Sequence, residues 1–326
     1  MARKLVILGV ASVAAALAFA PLVGSSPVDF QRAWAGAWPD AQILFDMRLS
    51  RVVLALLTGG ALACAGVLFQ ALLRDALATP YTLGVSSGAS LGAVSAICFN
   101  LPPVLGLPAV WVAALAGSMA ALWIVMAIAG GGRRMSSFTL LLAGVTVNSM
   151  AMALILLLHS TAAYGQSFAI AHWLMGGLDP ASWRVLAGLG TIVVAVVAGV
   201  MLKAREWNLL SVGEEWAAAR GVEPRRLLLL GYLAGSVLTA AVTALTGPIG
   251  FVGLIVPHAL RMKLGSDHRA LLPCSFLYGA AFLVACDILS RTMLRPAEIP
   301  VGVITALLGG PFFIAQLRSA RRSLWL

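Results

Sequence analysis

Leu49-Ser50-Arg51-Val52-Val53-Leu54-Ala55-Leu56-Leu57-Thr58-Gly59-Gly60-Ala61-Leu62-Ala63-Cys64-Ala65-Gly66-Val67-Leu68-Phe69-Gln70-Ala71-Leu72-Leu73 is the stretch that decides the class of this chain. Its only charge is Arg51, near one end. A bilayer core of about 30 Å takes roughly 20 apolar residues to cross as a helix, so the stretch is long enough to span. The rest of the chain agrees. Of 326 residues, 61% are apolar and 10% charged, less than half the charged fraction of an ordinary soluble domain. Such a composition predicts an all-α integral membrane protein, a single transmembrane domain over residues 1–326.

Apolar runs between charged or Pro/Gly breaks give ten candidate spans: 5–23, 49–73, 83–101, 109–130, 138–158, 185–202, 227–246, 249–264, 270–290 and 300–317. The first run follows Arg3-Lys4 and contains Ala18-Phe19-Ala20, which has the form of a signal-peptide cleavage site. Pro21 directly after that site and the length of the run favour a first span instead. With the N-terminus inside, sixteen of the 22 basic residues fall in cytoplasmic segments, and Arg32, Arg48, Arg51, Arg184, Arg291 and Arg295 stay outside. This asymmetry predicts that both termini are cytoplasmic. The net charge of +10 is then a signal of topology, since the six outer acids cancel the six outer arginines, and it does not call for nucleic acid.

The third run opens with Pro80-Tyr81-Thr82-Leu83-Gly84-Val85-Ser86-Ser87-Gly88 and the eighth with Gly247-Pro248-Ile249-Gly250-Phe251-Val252-Gly253, with Pro257 further on. Interrupted segments at matching places in two halves suggest a 5+5 inverted repeat. Close packing of small residues is the alternative reading. Most tryptophans fall near span ends, where an amphipathic ring prefers the headgroup level, and only Trp123 reads as deep. Cys64, Cys98, Cys274 and Cys286 lie in or beside apolar segments without metal-ligand spacing and read as small buried hydrophobes.

No G-x-x-x-x-G-K-[ST] loop occurs, because Gly130-Gly131-Gly132-Arg133-Arg134 lacks the lysine, so the chain has no ATP-hydrolysing machinery of its own. An ion-coupled transporter would carry ionisable groups within its spans. Asp287 is the best candidate, but Arg291 lies one turn later and can pair with it. The longest inner loop, 203–226, includes Leu210 to Pro224 and can form two short helices broken at Gly221 and Pro224. It is either a solvated linker or a helix offered to a separate ATPase. Arg48 and Arg51, three apart at the outer mouth of the second span, are either snorkelling anchors or a docking surface for acidic groups.

At these residues the chain resembles the FecCD/BtuC family of ABC permeases, which import ferric siderophores, haem and cobalamin. Arg48-Leu49-Ser50-Arg51 resembles R-L-P-R, and Leu83-Gly84-Val85-Ser86-Ser87-Gly88-Ala89 matches L-G-V-S-S-G-A. Leu141 to Val145, Trp173 to Gly177, Gly247 to His258 and Glu298 to Gly302 follow in family order. The resemblance implies a homodimer of ten-span subunits with the path between them, two cytoplasmic ATPase subunits that hold ATP and Mg, and a periplasmic binding protein. It implies binding-protein docking on Arg48, Arg51 and Arg291, an ATPase coupling loop carrying Gly213, Glu214, Ala217, Arg220, Gly221 and Val222, and a cytoplasmic gate including Asp75, Leu77, Ser136 and Ser137. The gate departs from R-N-P-L-A-x-P, with Asp75 in place of the amide and Ala76 in place of the proline; Asp75 is also a candidate helix cap.

His159 and His172 could be haem ligands, though loop histidines usually serve hydrogen bonding. The prevalence of iron-chelate carriers in the family favours an iron chelate, with cobalamin as the alternative. The reading of another class, an ion-coupled secondary transporter, would need no ATPase.

Overall fold

A computed structural model describes residues 2–24, 27–130, 137–294 and 297–323. Within these, the chain is a bundle of helices. The first, α1 (Ala2–Phe19), leads over a short 3-10 turn into two small helices, α2 (Phe30–Trp34) and α3 (Asp40–Gln42). A widened π-type stretch over Ile43–Leu49 then feeds α4 (Ser50–Leu73). After a left-handed residue at Arg74 and a 3-10 turn over Pro80–Leu83 come α5 (Val85–Cys98), α6 (Ala109–Gly130), α7 (Ser137–Thr161) and α8 (Tyr164–Met175). The second half holds α9 (Trp183–Leu202), α10 (Ala204–Val212), α11 (Glu214–Ala219), α12 (Pro224–Thr246), α13 (Val252–Leu264), α14 (His268–Thr292) and α15 (Val301–Ser323).

Helices stand at all ten expected span positions. Seven segments among the described residues are long and apolar enough to cross a membrane: Ala2–Leu22, Asp40–Leu73, Ala109–Ala129, Phe138–Thr161, Trp183–Leu202, Pro224–Thr246 and His268–Thr292. The other three positions carry shorter apolar stretches. Val85–Cys98 is a short apolar helix, Val252–Leu264 has 13 residues, and in α15 the apolar part is Val301–Gln316. The Pro/Gly openings explain the shortening of α5 and α13: Gly84 and Phe251, immediately before them, are both left-handed (φ 81° and 69°), which a regular helix cannot continue through.

The quoted stretch forms the axis of the bundle. Nearly every residue of α4 from Val52 to Leu72 is buried, against α12, α13 and α14. Lipid tails are as apolar as leucine, so helices in a membrane associate by close packing, which favours small residues at crossings. A methyl group on Gly66 would occupy the carbonyl of Gly253 on α13. Phe69 meets Tyr232 of α12 edge to face at 6.2 Å.

The tryptophans differ in how they meet the bundle. Trp123 is 72% exposed on the outside of the bundle, where lipid would lie, while Trp207 is 1% exposed and donates its Nε1–H to Val200 O. All four cysteines are free thiols, three of them buried.

Candidate functional site

The two ends of the bundle carry different chemistry. At the end where α4 begins, three arginines and two acids converge from segments far apart in the chain. Arg51, in the first turn of α4, donates from Nε to Asp287 Oδ1 (2.8 Å) and from Nη1 to Glu298 Oε2 (2.7 Å). Arg291 Nη2 pairs with Asp287 Oδ2 at 2.9 Å, the one-turn pairing that the sequence suggested, and its Nη1 donates to Val23 O. Arg48, carried by the π-type stretch, donates to Pro21 O, with its guanidinium against Gly24 where no Cβ would fit. Arg48 and Arg291 are both buried. The three arginines and Glu298 line a cavity of about 370 Å³ together with Gly24 and Met47.

Asp287 is fully buried and both its oxygens are held by guanidinium groups. That arrangement suits a fixed counter-ion. The Arg51–Asp287 and Arg51–Glu298 pairs bridge 236 and 247 positions of sequence, so no local pattern could have revealed them.

At the opposite end, the loop between α9 and α12 forms two short helices, as expected, but the break between them falls at Gly213. Gly221, left-handed at φ 80°, and Pro224 instead end α11 and start α12. Helix α10 is fastened on two sides. Trp207 packs where a side chain on Gly231 of α12 would clash. Asn208 Nδ2 donates to Asp267 Oδ1 (2.8 Å), and Asn208 Oδ1 accepts the His268 backbone N–H (2.8 Å) at the start of α14. The Asn208 amide, first among several contacts, holds the Asp267 carboxyl below its ordinary range.

Helix α11 stands further out. Gly213 and Ala217 face inward; Glu214 and Val222 are half-buried, and Arg220 and Gly221 are exposed. Trp216 (61% exposed) and Val212 (68%) form an uncovered apolar surface that the sequence reading had not singled out as a contact. Their signal was an aromatic in an otherwise polar cytoplasmic loop.

Arg74 ends α4 and pairs with Glu214 at 3.4 Å, joining the turn after α4 to the first residue of α11. Asp75 accepts the Leu77 N–H (2.9 Å), so its carboxylate caps its own turn and no helix. Leu77 is exposed. Of the two serines expected at this gate, Ser136 lies outside the described residues, and Ser137 opens α7 with its side chain outside them too. His159 and His172 are exposed, and among the described residues no cluster of three or more His, Cys, Asp or Glu side chains could hold a metal.

The sequence motifs quoted above meet in the fold. Gly177 N donates to Thr246 O (2.8 Å) and Gly302 N to Gly176 O (3.1 Å), so the Trp173, Gly247 and Glu298 motifs share one junction.

A model of the FecCD transport family matches residues 8–319. The chain is 39% identical over 296 residues to the hemin transport system permease protein HmuU of Yersinia pestis, covering 90% of this chain and 88% of that protein. It is 43% identical over 279 residues to the cobalamin import system permease protein BtuC of Halobacterium salinarum, covering 85% and 73%. A solved structure assigned to the metal-chelate type of ABC transporter, in an inward-facing conformation, superposes with a TM-score of 0.84 at 29% identity over 98% of this chain and 99% of that one. Permeases of this family are non-catalytic, and ATP binds to their ATPase partner. The chain belongs to the FecCD transport family, as a multi-pass permease of an ABC importer.

Proposed function

We propose that two copies of this chain form the translocation unit of a binding-protein-dependent importer in a bacterial inner membrane, carrying an iron chelate, either a ferric siderophore or haem, between them into the cytoplasm. The observation that carries the two-copy reading is the uncovered face of α7. This helix buries Leu140, Val147, Ala151 and Ile155, and leaves Thr146, Asn148 and Ser149 exposed within a span-length helix. Thr146 and Ser149 return their hydroxyls to carbonyls one turn back. Asn148 presents a carboxamide, which is costly against lipid and at home against a second subunit or a water-filled path.

The remaining parts follow from the same assembly. Each half would contribute five spans. The short helices α5 and α13, each preceded by a left-handed residue, stand in third place in their halves and support an inverted repeat. Both termini lie in the cytoplasm by the distribution of basic residues. The α11 region, including Glu214 and Arg220, meets one of two ATPase subunits, with Val212 and Trp216 as its apolar contact. Arg74, paired to Glu214, passes the motion of α11 to the gate turn at Asp75 and Leu77. At the other end, the Arg48, Arg51 and Arg291 cleft receives an acidic side chain from a periplasmic binding protein. Three guanidinium charges against two carboxylates leave one positive charge in surplus there.

The hemin relative and the metal-chelate structure favour an iron chelate, and the cobalamin relative makes a corrinoid the second reading. The test is uptake by the reconstituted transporter of a panel of ferric siderophores, haem and cobalamin, each delivered by the binding protein encoded beside it. Uptake of a ferric chelate supports the first reading; uptake of cobalamin alone replaces it with the second.

A further inference from the structure

Among the groups around the 370 Å³ cleft, Glu298 is the one whose position the docking reading leaves unexplained. Asp287 is fully buried between Arg51 and Arg291, whereas the Glu298 side chain is 37% exposed and, among the described residues, forms its ion pair with Arg51. Arg51 itself is only 13% exposed, so the carboxylate that holds its Nη1 stands between the arginine and solvent. A guanidinium at the mouth of a cleft needs an acceptor for its donors when no partner is present. Glu298 supplies one.

We propose that Glu298 is a placeholder carboxylate: it occupies Arg51 in the undocked permease, and an acidic side chain of the binding protein displaces it on docking. The inference rests on the docking reading of the three arginines. An incoming carboxylate must share Arg51 with Glu298 at the cost of like-charge repulsion, or take its place. The backbone allows the second course without loosening the fold. Ile299 N donates to Ser290 O (3.1 Å), Ser290 Oγ returns a hydrogen bond to Ile299 O, and Gly302 N is held by Gly176 O. The chain that follows Glu298 is therefore pinned to α14 and to Gly176, while the side chain of Glu298 reaches solvent and can swing. A partly exposed ion pair such as Arg51–Glu298 is weaker than a pair formed at a fully desolvated interface, so the exchange runs toward the docked state. Glu298 would also discriminate between partners, because only a carboxylate, placed to meet Arg51, repays the loss of the internal pair.

The experiment measures the affinity of the binding protein encoded beside this chain for the complete transporter in nanodiscs. Removing the placeholder with Glu298→Gln should tighten the Kd roughly fivefold, the scale of a lost surface ion pair. The control is Asp179→Asn, an exposed acid next to Pro180 at the same cleft with no ion pair to the arginines among the described residues. It should leave the Kd within about twofold, as expected of a rim charge.

Equal tightening in both variants would reduce the effect to general electrostatics and overturn the proposal. An unchanged or weaker Kd in Glu298→Gln, with association abolished by Arg51→Glu, would overturn the placeholder and leave the docking reading standing. Failure of both Glu298→Gln and Glu298→Ala to assemble with the ATPase would make the residue structural, against the proposal. Association that survives Arg48→Glu, Arg51→Glu and Arg291→Glu together would remove the docking reading itself.

Discussion

Asp287 shows how a single residue separates two accounts of transport. As a lone acid in a span it would be the natural proton or cation carrier, but two arginines hold both its oxygens in a fully buried site. Removing one member of such a cluster leaves uncompensated buried charge, which costs about 3–5 kcal/mol. Asp287→Ala should therefore lower the thermal unfolding midpoint of the purified complex by several degrees, and an unchanged midpoint would mean that the cluster is not formed. Gly66 is constrained as tightly by shape. Gly66→Val should cost on the order of 2 kcal/mol by forcing α4 from α13, read as reduced yield and thermal stability of the assembled permease.

Much at this scale was legible. Arg48 and Arg51 could be nominated because external arginines oppose the topology bias, Arg291 joined them through the family resemblance, and the Asp287–Arg291 pair was visible because one helical turn separates them. The Arg51 bonds to Asp287 and Glu298 were not legible, since only the fold brings α4 and α14 together.

At the scale of elements, the cytoplasmic loop acts as a lever with a fixed and a free arm. Helix α10 is fastened by Trp207 and Asn208, while its last residue Val212 and Trp216 of α11 stay exposed. If α11 is the ATPase contact, Trp216→Ala should weaken ATPase association by about 1–3 kcal/mol, roughly 5- to 150-fold in affinity, as for an exposed aromatic anchor. Normal association would move the contact elsewhere. Exchanging the charges with Arg74→Glu and Glu214→Arg should restore more coupled transport than either single change gives, and the measurement is the ratio of ATP hydrolysed to substrate moved.

The Asn208–Asp267 fastening has a definite pH sense. The folded state lowers the Asp267 pKa, so this contribution is complete above the ordinary carboxyl pKa and is lost only as pH falls through the lowered value. Coupling that depends on it should accordingly be flat between about pH 6 and pH 8. The two short helices were legible from Pro224 and Gly221. Their division at Gly213 was not, because Gly213 is a buried packing position as well as a break, and loop composition does not reveal burial. Likewise the sequence did not say that Trp123 faces outward from the bundle or that Trp207 is the loop tryptophan that packs inward, since position in a run does not say which side of a helix meets the bundle.

For the whole molecule, the pattern of apolar runs located the helices because membrane burial is written in composition, and it overstated α5 and α13 because Pro/Gly openings shorten a helix without reducing its hydrophobicity. The surface that stays uncovered in a single copy, centred on Asn148 of α7, is where the account places the second copy. A cysteine at Asn148, in a chain with its four native cysteines replaced, should form a covalent dimer with a short thiol cross-linker; monomer alone would put this face elsewhere.

The most direct test of the whole account is uptake into liposomes holding the permease with its ATPase, ATP inside and binding protein outside, compared with liposomes holding the permease alone under an imposed proton or sodium gradient. The account predicts uptake in the first, lost with the catalytically inactive ATPase, and none in the second. Uptake driven by the gradient in the absence of the ATPase would contradict it.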